Sequence, residues 1–137
     1  MATLPSGLPD FVADAEDLAR FLTSASQFNT KGAKPSTYLP SEKYRNTSVF
    51  RHGEEPKAEL LNIWIQNSHA GRNLHAIAVC KARDVRAAKL DVLADEPPPR
   101  HADIEGWPWN DTDPDMAKAA RKELAAVIAQ SAHIVSP

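Results

Sequence analysis

The placement of proline is the feature of this sequence that most limits how the chain can fold. Eleven prolines are spread over 137 residues, and only Pro97, Pro98 and Pro99 are consecutive. Proline has no backbone N–H and breaks helix interiors and central strands, so it marks the ends of elements. We therefore expect short elements separated by proline-containing turns, with no internal repeat and no low-complexity tract.

Length and composition are typical of one globular domain covering residues 1–137. The chain is 42% hydrophobic and 25% charged, and domains cluster near ~100–150 residues. No run approaches the ~20 apolar residues that a membrane helix needs, and the first residues lack the basic and apolar parts of a secretory signal. Cys80 is the only cysteine, which excludes an internal disulfide and a multi-thiolate zinc site. We expect a cytoplasmic protein with no membrane segment.

The first third of the chain predicts a frayed start, one helix and a loop. Residues 1–10 are expected to be flexible or extended. Residues 11–24 predict a helix, because apolar side chains recur there at three- and four-residue steps. The residues of this stripe are Phe11, Ala15, Leu18, Phe21 and Leu22. Residues 25–46 contain one glycine and two prolines, and predict a long loop with a short extended piece at Tyr38–Leu39.

Alternating and periodic patterns predict the elements that follow. Strands are expected in four places, at 47–51, 74–80, 90–93 and the start of 100–108. A helix is expected from Pro56 through 60–65, where a strand is the alternative. A helical turn is expected at 84–89, and the prolines at 97–99 predict an extended polyproline backbone.

The clearest element is a C-terminal helix. Asp113 is a suitable N-cap, and Pro114 suits the first helical position. Apolar residues then form a stripe that runs through residue 131, made of Met116, Ala120, Leu124, Val127 and Ile128. These patterns predict an α+β domain, with a small sheet of three to four short strands, two to three helices and a long helix at the end.

Charge is distributed unevenly although the net charge is only −2. Residues 31–89 hold eleven Lys or Arg against five Asp or Glu, whereas residues 90–137 hold four against nine. A basic patch would attract phosphates or an acidic partner, and an acidic patch would repel nucleic acid. The alternative is that the segments fold together and their charges mix on a solvated surface.

The segment 97–109, PPPRHADIEGWPW, carries the most suggestive group of residues. It brings Arg100, His101 and Asp103 close to Trp107 and Trp109 on a backbone stiffened by proline. In an extended chain His101 and Asp103 point to the same side, where the carboxylate can tune the imidazole for acid–base work. The pair could instead give two ligands of a metal site, which needs further ligands, or the segment could cap the core. Since no complete ligand set is evident, we predict no metal and no cofactor.

Arg51 and His52, at the end of the predicted strand 47–51, form a second candidate. An arginine fork can clamp a phosphate or carboxylate. Two histidines, His52 and His101, with an arginine suffice in principle for metal-independent phosphodiester cleavage. The alternative for Arg51 is a surface ion pair. A third candidate is an anion-binding turn, in which Gly71 allows an unusual backbone angle and Arg72 provides the charge.

A basic cluster follows the third candidate along the chain. It consists of Lys81, Arg83, Arg86 and Lys89. On a short helix such residues form a stripe that can contact phosphates, which makes nucleic acid a weakly supported partner. Cys80 lies in an apolar run and is expected in the core. The sequence contains no phosphate-binding loop, no G-x-S-x-G and no H-E-x-x-H.

The combination of TSVFR, LNIWIQ and PPPRHADIEGWP resembles a group of small bacterial proteins without an assigned activity, over roughly residues 15–131. The resemblance implies a bacterial or phage origin. It also singles out the residues to test first, which are Arg51, Trp64, Arg100, His101, Asp103 and Trp107.

Three functional hypotheses follow. The first is a protein-interaction or accessory subunit that binds a partner, or a second copy of itself, through the segment 97–109, with Arg100, Trp107 and Trp109, and through the basic middle of the chain. The second is a metal-independent enzyme acting on phosphodiesters or nucleotides through His101 and Asp103, with arginine binding the phosphate. The third is a nucleic-acid-binding accessory factor that uses the basic cluster.

Overall fold

The computed structural model of the chain describes residues 2–52, 57–67 and 72–137. In these ranges the chain is an α+β domain with a six-stranded antiparallel sheet, a two-stranded ribbon and three α-helices. The strands of the main sheet are β1 (Asp17–Leu22), β4 (Thr47–Arg51), β5 (Ala76–Lys81), β6 (Asp91–Ala94), β7 (His101–Glu105) and β8 (His133–Val135). The ribbon consists of β2 (Phe28–Asn29) and β3 (Gly32–Ala33), and the helices are α1 (Lys57–Asn67), α2 (Ala82–Ala87) and α3 (Pro114–Ser131).

The strands of the main sheet lie in the order β6–β7–β4–β1–β5–β8, and every neighbouring pair is antiparallel. The α+β class and the long C-terminal helix are therefore confirmed, but the predicted count of three to four strands is too low. The missed strands are β1, β8 and the short ribbon. No helix in the described ranges has the length and apolar character needed to cross a membrane.

The predicted helix over 11–24 is wrong, because β1 occupies its second half as a central strand. Leu18 and Leu22 are buried against one face of the sheet, whereas Ala19 packs on the other. A strand that is covered on both faces has apolar residues on both, and its pattern loses the simple alternation of a half-exposed strand. Phe11, which the helix would have buried, is 57% exposed.

Helices cover both faces of the sheet. On the first face, α3 packs Ala125, Ile128 and Ala129 against a core that also includes Leu18 and Val49. On the second face, α1 packs against β1 and β5 through buried apolar side chains: Leu60 and Ile63 meet Ala19, Ile77 and Val79. Among the described residues, the apolar cluster that α1 forms on this face includes no residue of β6 or β7, and Leu93 of β6 is 52% exposed, so these residues leave that part of the face uncovered.

Most of the other predicted elements are confirmed. The strand at 47–51 has the predicted bounds, while those predicted at 74–80 and 90–93 are shifted to 76–81 and 91–94. The segment 57–67 is a helix rather than the alternative strand, and Pro56 lies outside the described residues. The predicted helical turn is α2, which begins two residues early.

The other differences concern the proline triplet, the C-terminal stripe and the chain before β4. Residues 97–100 form bends and a turn between antiparallel strands instead of an extended polyproline segment, and the peptide bonds after Glu96 and Pro97 are cis. Asp113 caps α3 as predicted, accepting from the Met116 N–H at 3.1 Å. Met116 itself is 65% exposed, because α3 buries a neighbouring face made mostly of alanine. Tyr38, where an extended piece is predicted, is instead a turn residue that caps a short 3-10 helix at Pro35–Thr37.

The N-terminal residues, for which the sequence predicts a frayed chain, make specific contacts. Thr3 and Pro9 form a β-bridge. Ser6 donates its hydroxyl to Glu96 at 2.5 Å and its backbone N–H to the same carboxylate at 3.0 Å. This contact joins residues 2–10 to the chain between β6 and β7.

Candidate functional site

A polar pocket of about 330 Å³ opens on the uncovered part of the second sheet face. We call it the acidic pocket; its lining residues are Tyr44, Asn46, Ser48, Asp95, His101 and Asp103. The register of the strands assembles it, since Ser48 of β4 pairs with Asp103 of β7. Phe50 pairs with His101 in the same ladder, so His101 and Asp103 project from the face to which Phe50 belongs.

His101 is held by two hydrogen bonds. Its Nδ1 lies 2.8 Å from the backbone carbonyl of Asp95, and its Nε2 lies 2.5 Å from the hydroxyl of Ser48. A carbonyl oxygen only accepts, so Nδ1 carries a proton and the neutral ring accepts from Ser48 at Nε2. The same Nε2 lies 3.5 Å from Oδ1 of Asp103. The imidazole is therefore fixed in orientation and tautomer within reach of a hydroxyl and a carboxylate.

Asp103 carries the strongest electrostatic perturbation of the pocket. It is only 6% exposed, and burial raises its pKa from 3.8 to about 7, helped by a hydrogen bond and charge repulsion from Asp95 and by repulsion from Glu105. Two carboxyl groups that face each other disfavour double ionisation. The pocket thus retains a proton at Asp103 and would favour a cation.

Asp95, His101 and Asp103 form a group suited to metal coordination. One ligand atom from each of the three residues lies within 4.8 Å of the other two. Carboxylate and imidazole ligands together suit divalent first-row ions such as Zn²⁺ and Mn²⁺. From the sequence, a metal pair of His101 and Asp103 is only an alternative, and no metal is predicted; the hairpin of β6 and β7 adds Asp95 to this pair.

The structure places Arg51 in a buried ion pair instead of in a position to clamp a phosphate. Arg51 is 1% exposed, and its guanidinium binds the Glu16 carboxylate through Nε at 2.7 Å and Nη2 at 2.9 Å. Nη1 donates to the carbonyl of Pro9 at 2.7 Å. Because strand β4 directs this side chain into the covered face, the guanidinium ties the N-terminal segment to the sheet.

Arg100 and His52 do not join the acidic pocket either. Arg100 is 6% exposed and donates through Nη1 to the backbone carbonyls of Arg51 at 2.8 Å and His52 at 3.2 Å. Its φ of 70° belongs to the turn before β7. His52 follows β4, does not line the acidic pocket, and has a buried Nδ1 without a hydrogen-bond partner. The predicted pairing of His52 with His101 is therefore not formed.

The two tryptophans of the 97–109 segment point into the molecule. Trp107 is 4% exposed and donates its indole N–H to the carbonyl of Ile104 at 3.1 Å, so it belongs to the core. Trp109 is half-buried, and the guanidinium carbons of Arg121 and Arg45 lie 3.8 Å and 4.7 Å from its ring centre. The segment does not present these rings outward as the interaction hypothesis requires.

The basic cluster is partly neutralised by acidic residues from the start of the chain. Lys81 pairs with Asp17 at 3.0 Å, and Arg86 pairs with Asp14 at 2.6 Å and Asp91 at 3.0 Å. The bonds from Arg86 lower the pKa of Asp91. Arg83 and Lys89 are exposed, so the cluster offers two charges to a phosphate backbone instead of a continuous stripe.

The remaining candidates divide between the core and the surface. Cys80 is buried as predicted, and burial raises the pKa of its thiol to about 12, which makes it a poor nucleophile. Arg72 is exposed and lines a separate cleft. Gly71 of the predicted anion-binding turn lies outside the described residues.

Sequence reasoning missed Ser48 and Asp95. Both are short polar residues in or beside strands, and only the strand register reveals that they face His101. A predicted hairpin between 90–93 and the start of 100–108 would have brought Asp95 opposite His101. No family model, curated protein or solved structure compared with the chain matches it. Any functional assignment therefore depends on the geometry described above.

Proposed function

We propose that the acidic pocket binds one divalent transition-metal ion and that the protein is a metal-dependent hydrolase. The observation that carries the proposal is the convergence of Asp95, His101 and Asp103 on an uncovered sheet face, with a ligand atom of each within 4.8 Å of the others. Three protein ligands leave coordination positions open to water and substrate, as in catalytic metal sites.

The carboxyl groups of the pocket favour binding of a cation and disfavour binding of an anionic substrate in the absence of a metal. Asp95 and Asp103 face each other, and Glu105 lies close enough to raise the pKa of Asp103 further. A metal-free reaction on a phosphate ester would need a positive group beside His101. Arg51 and Arg100, the expected sources of that charge, are buried in other contacts.

The surroundings of His101 have the form expected for a metal ligand. A ligating histidine commonly donates its second ring N–H to a carbonyl or carboxylate, which fixes the ring and increases its basicity. The carbonyl of Asp95 fulfils this role at Nδ1 with a distance of 2.8 Å. Nε2 then faces Asp103 and the hydroxyl of Ser48, both of which line the pocket.

The chemistry proposed is the addition of water to an ester. A divalent ion in the pocket would act as a Lewis acid for that addition. One water is consumed: its oxygen bonds to the electrophilic atom, the ester bond breaks, and the leaving oxygen receives a proton. Ser48, whose hydroxyl lines the pocket, is suited to orient the substrate or the water by hydrogen bonding.

A second candidate function rests on the contact between Ser48 and His101. A hydroxyl 2.5 Å from a neutral imidazole nitrogen is the arrangement of an activated serine nucleophile. Both functions use Nε2 of His101, so they are alternatives. A serine-directed fluorophosphonate that labels Ser48 in the presence of a chelator supports the nucleophile, and labelling that His101→Gln does not reduce argues against it.

The test of the metal site is calorimetric titration of the full chain with Zn²⁺ and with Mn²⁺. We expect one ion per chain for the wild type. Asp95→Asn should weaken binding by at least about tenfold, since even outer partners of a metal ligand contribute ~10–100-fold. The Asp95 side chain is 62% exposed, so this substitution should leave the fold intact.

Asp111→Asn is the matched control, because Asp111 is an exposed carboxylate outside the acidic pocket. Its metal affinity should equal that of the wild type. The proposal is wrong if the wild type binds neither ion at millimolar concentration, or if Asp95→Asn and Asp111→Asn bind equally well.

A further inference from the structure

A second concave surface lies next to the acidic pocket. We call it the aromatic cleft; it has a volume of about 330 Å³ and is lined by Arg20, Phe21, Thr23, Gln27, Ser48, Phe50, Ile63, Trp64 and Arg72. Ser48 lines both the cleft and the acidic pocket, so the two surfaces adjoin at this residue. The volume is at the lower end of the ~300–1,000 Å³ range of small-molecule sites.

A row of aromatic rings connects the cleft with the acidic pocket. Ring centres lie 5.6 Å apart for Trp64 and Phe21, 5.2 Å for Phe21 and Phe50, and 5.4 Å for Phe50 and His101. Trp64 and Phe50 are only half-buried although they are large and apolar. Half-buried aromatic rings along a cleft offer flat faces on which a planar ring can stack.

The cleft also carries positive charge that no carboxylate of the described residues neutralises. Arg20 donates to two backbone carbonyls, those of Thr37 at 2.6 Å and Ser48 at 2.7 Å, which are neutral acceptors. Burial lowers the pKa of Arg20, because the guanidinium loses water without gaining a carboxylate partner among the described residues. Arg72 is exposed and has no ion-pair partner in the described ranges.

The third feature of the cleft is an unpartnered acceptor. The side-chain oxygen of Gln27 is buried and accepts no hydrogen bond. Buried polar atoms are almost always paired, so a ligand that donates a hydrogen bond at this position would relieve the cost. The cleft thus combines aromatic faces for stacking, two arginines without a carboxylate partner in the described residues, and a buried Gln27 oxygen that can accept a hydrogen bond from a ligand.

We infer that the aromatic cleft binds a nucleotide, with the base stacked beside Trp64 and Phe21 and the phosphate near Arg20 and Ser48. A planar base with ring or amino N–H donors matches the rings and Gln27, and a phosphate matches the arginines. The shared residue Ser48 would bring the phosphate to the edge of the acidic pocket. That the nucleotide is the substrate rests on the proposed hydrolytic function, whereas its binding does not.

The test is calorimetric titration of the full chain with adenosine 5′-monophosphate, adenosine and inorganic phosphate, in buffer containing EDTA. We expect the monophosphate to bind at least about tenfold more tightly than adenosine or phosphate alone. Arg72→Gln removes the second cation that lines the cleft, at an exposed position, and should weaken binding of the monophosphate about fivefold or more. Lys118→Gln removes an exposed charge from α3, outside the cleft, and should have no effect.

The two proposals fail in different ways. Asp95→Asn should weaken metal binding by at least about tenfold and leave nucleotide binding in EDTA unchanged. If the monophosphate binds no better than phosphate, or if Arg72→Gln and Lys118→Gln behave alike, the nucleotide cleft is wrong whatever the metal titration gives. If the nucleotide binds as expected and no metal binds, the nucleotide site is supported and the proposed metal-dependent hydrolase is wrong.

Discussion

Replacing Arg51 by methionine should destabilise the protein by about 3 kcal/mol. The side chain is 1% exposed and joins β4 to Glu16 with bonds of 2.7 and 2.9 Å, and to Pro9 and Phe11 with bonds of 2.7 and 3.3 Å. Removing one partner of a buried ion pair costs ~3–5 kcal/mol, because the other charge is left without compensation. Glu16 also accepts from the Ala13 N–H at 2.6 Å and keeps 18% exposure, which favours the lower end of that range.

The measurement is urea unfolding followed by far-ultraviolet circular dichroism at neutral pH. Arg83→Met is a matched control, since Arg83 is an exposed arginine whose removal should change stability by no more than about 0.5 kcal/mol. Arg51→Met combined with Glu16→Gln should recover part of the loss, because the uncompensated carboxylate is then gone. A loss below about 1 kcal/mol for Arg51→Met would refute the structural role and return Arg51 to the list of binding residues.

Two further predictions concern β7 and the turn that follows it. Burial raises the pKa of Asp103 to about 7, so the metal-free folded state keeps a proton that the unfolded chain releases. The free energy of unfolding should therefore fall as pH rises from about 4 to 7, by at most ~1.4 kcal/mol per pH unit. Asp103→Asn should flatten this decline when both proteins are measured in EDTA. An equal slope in the two proteins would contradict the raised pKa of Asp103. Trp107→Ala should cost ~3–5 kcal/mol in the same urea assay, as for a large core side chain, whereas a loss of partner binding at unchanged stability would favour an exposed role.

The elements predicted well are those whose local signals agree with their surroundings. β4 has one covered and one exposed side over much of its length, so its alternation is visible in the sequence. α3 begins at an Asp–Pro pair, and the observed bond from the Met116 N–H to Asp113 is the local capping contact that the pair predicts. Such features need no knowledge of distant parts of the chain.

β1 could not be predicted in this way because its neighbours determine its pattern. Leu18 and Ala19 are both fully buried, on opposite faces, since β1 is central and both faces are covered. The resulting three- and four-residue spacing of large apolar residues matches a helix as well as a strand. The burial of Arg51 could not be predicted for a similar reason. The sequence shows that Arg51 ends a strand, but not that Glu16 lies close enough to pair with it.

Two residues of the candidate site, His101 and Asp103, could be predicted from the sequence, and the physical reason also bears on the function of the site. Period two in β7 directs His101 and Asp103 to one face, and it directs Ala102 and Ile104 to the other, where both are fully buried. The core thus fixes the pocket: a slip of one residue in β7 would move two apolar side chains out of the core and two polar ones into it. Ser48 and Asp95 depend on the same register, because they are carried by the strands on either side of β7 or their extension. Strands hold Ser48, His101 and Asp103, and Asp95 follows β6 directly, so most of the site is positioned by the sheet before anything binds.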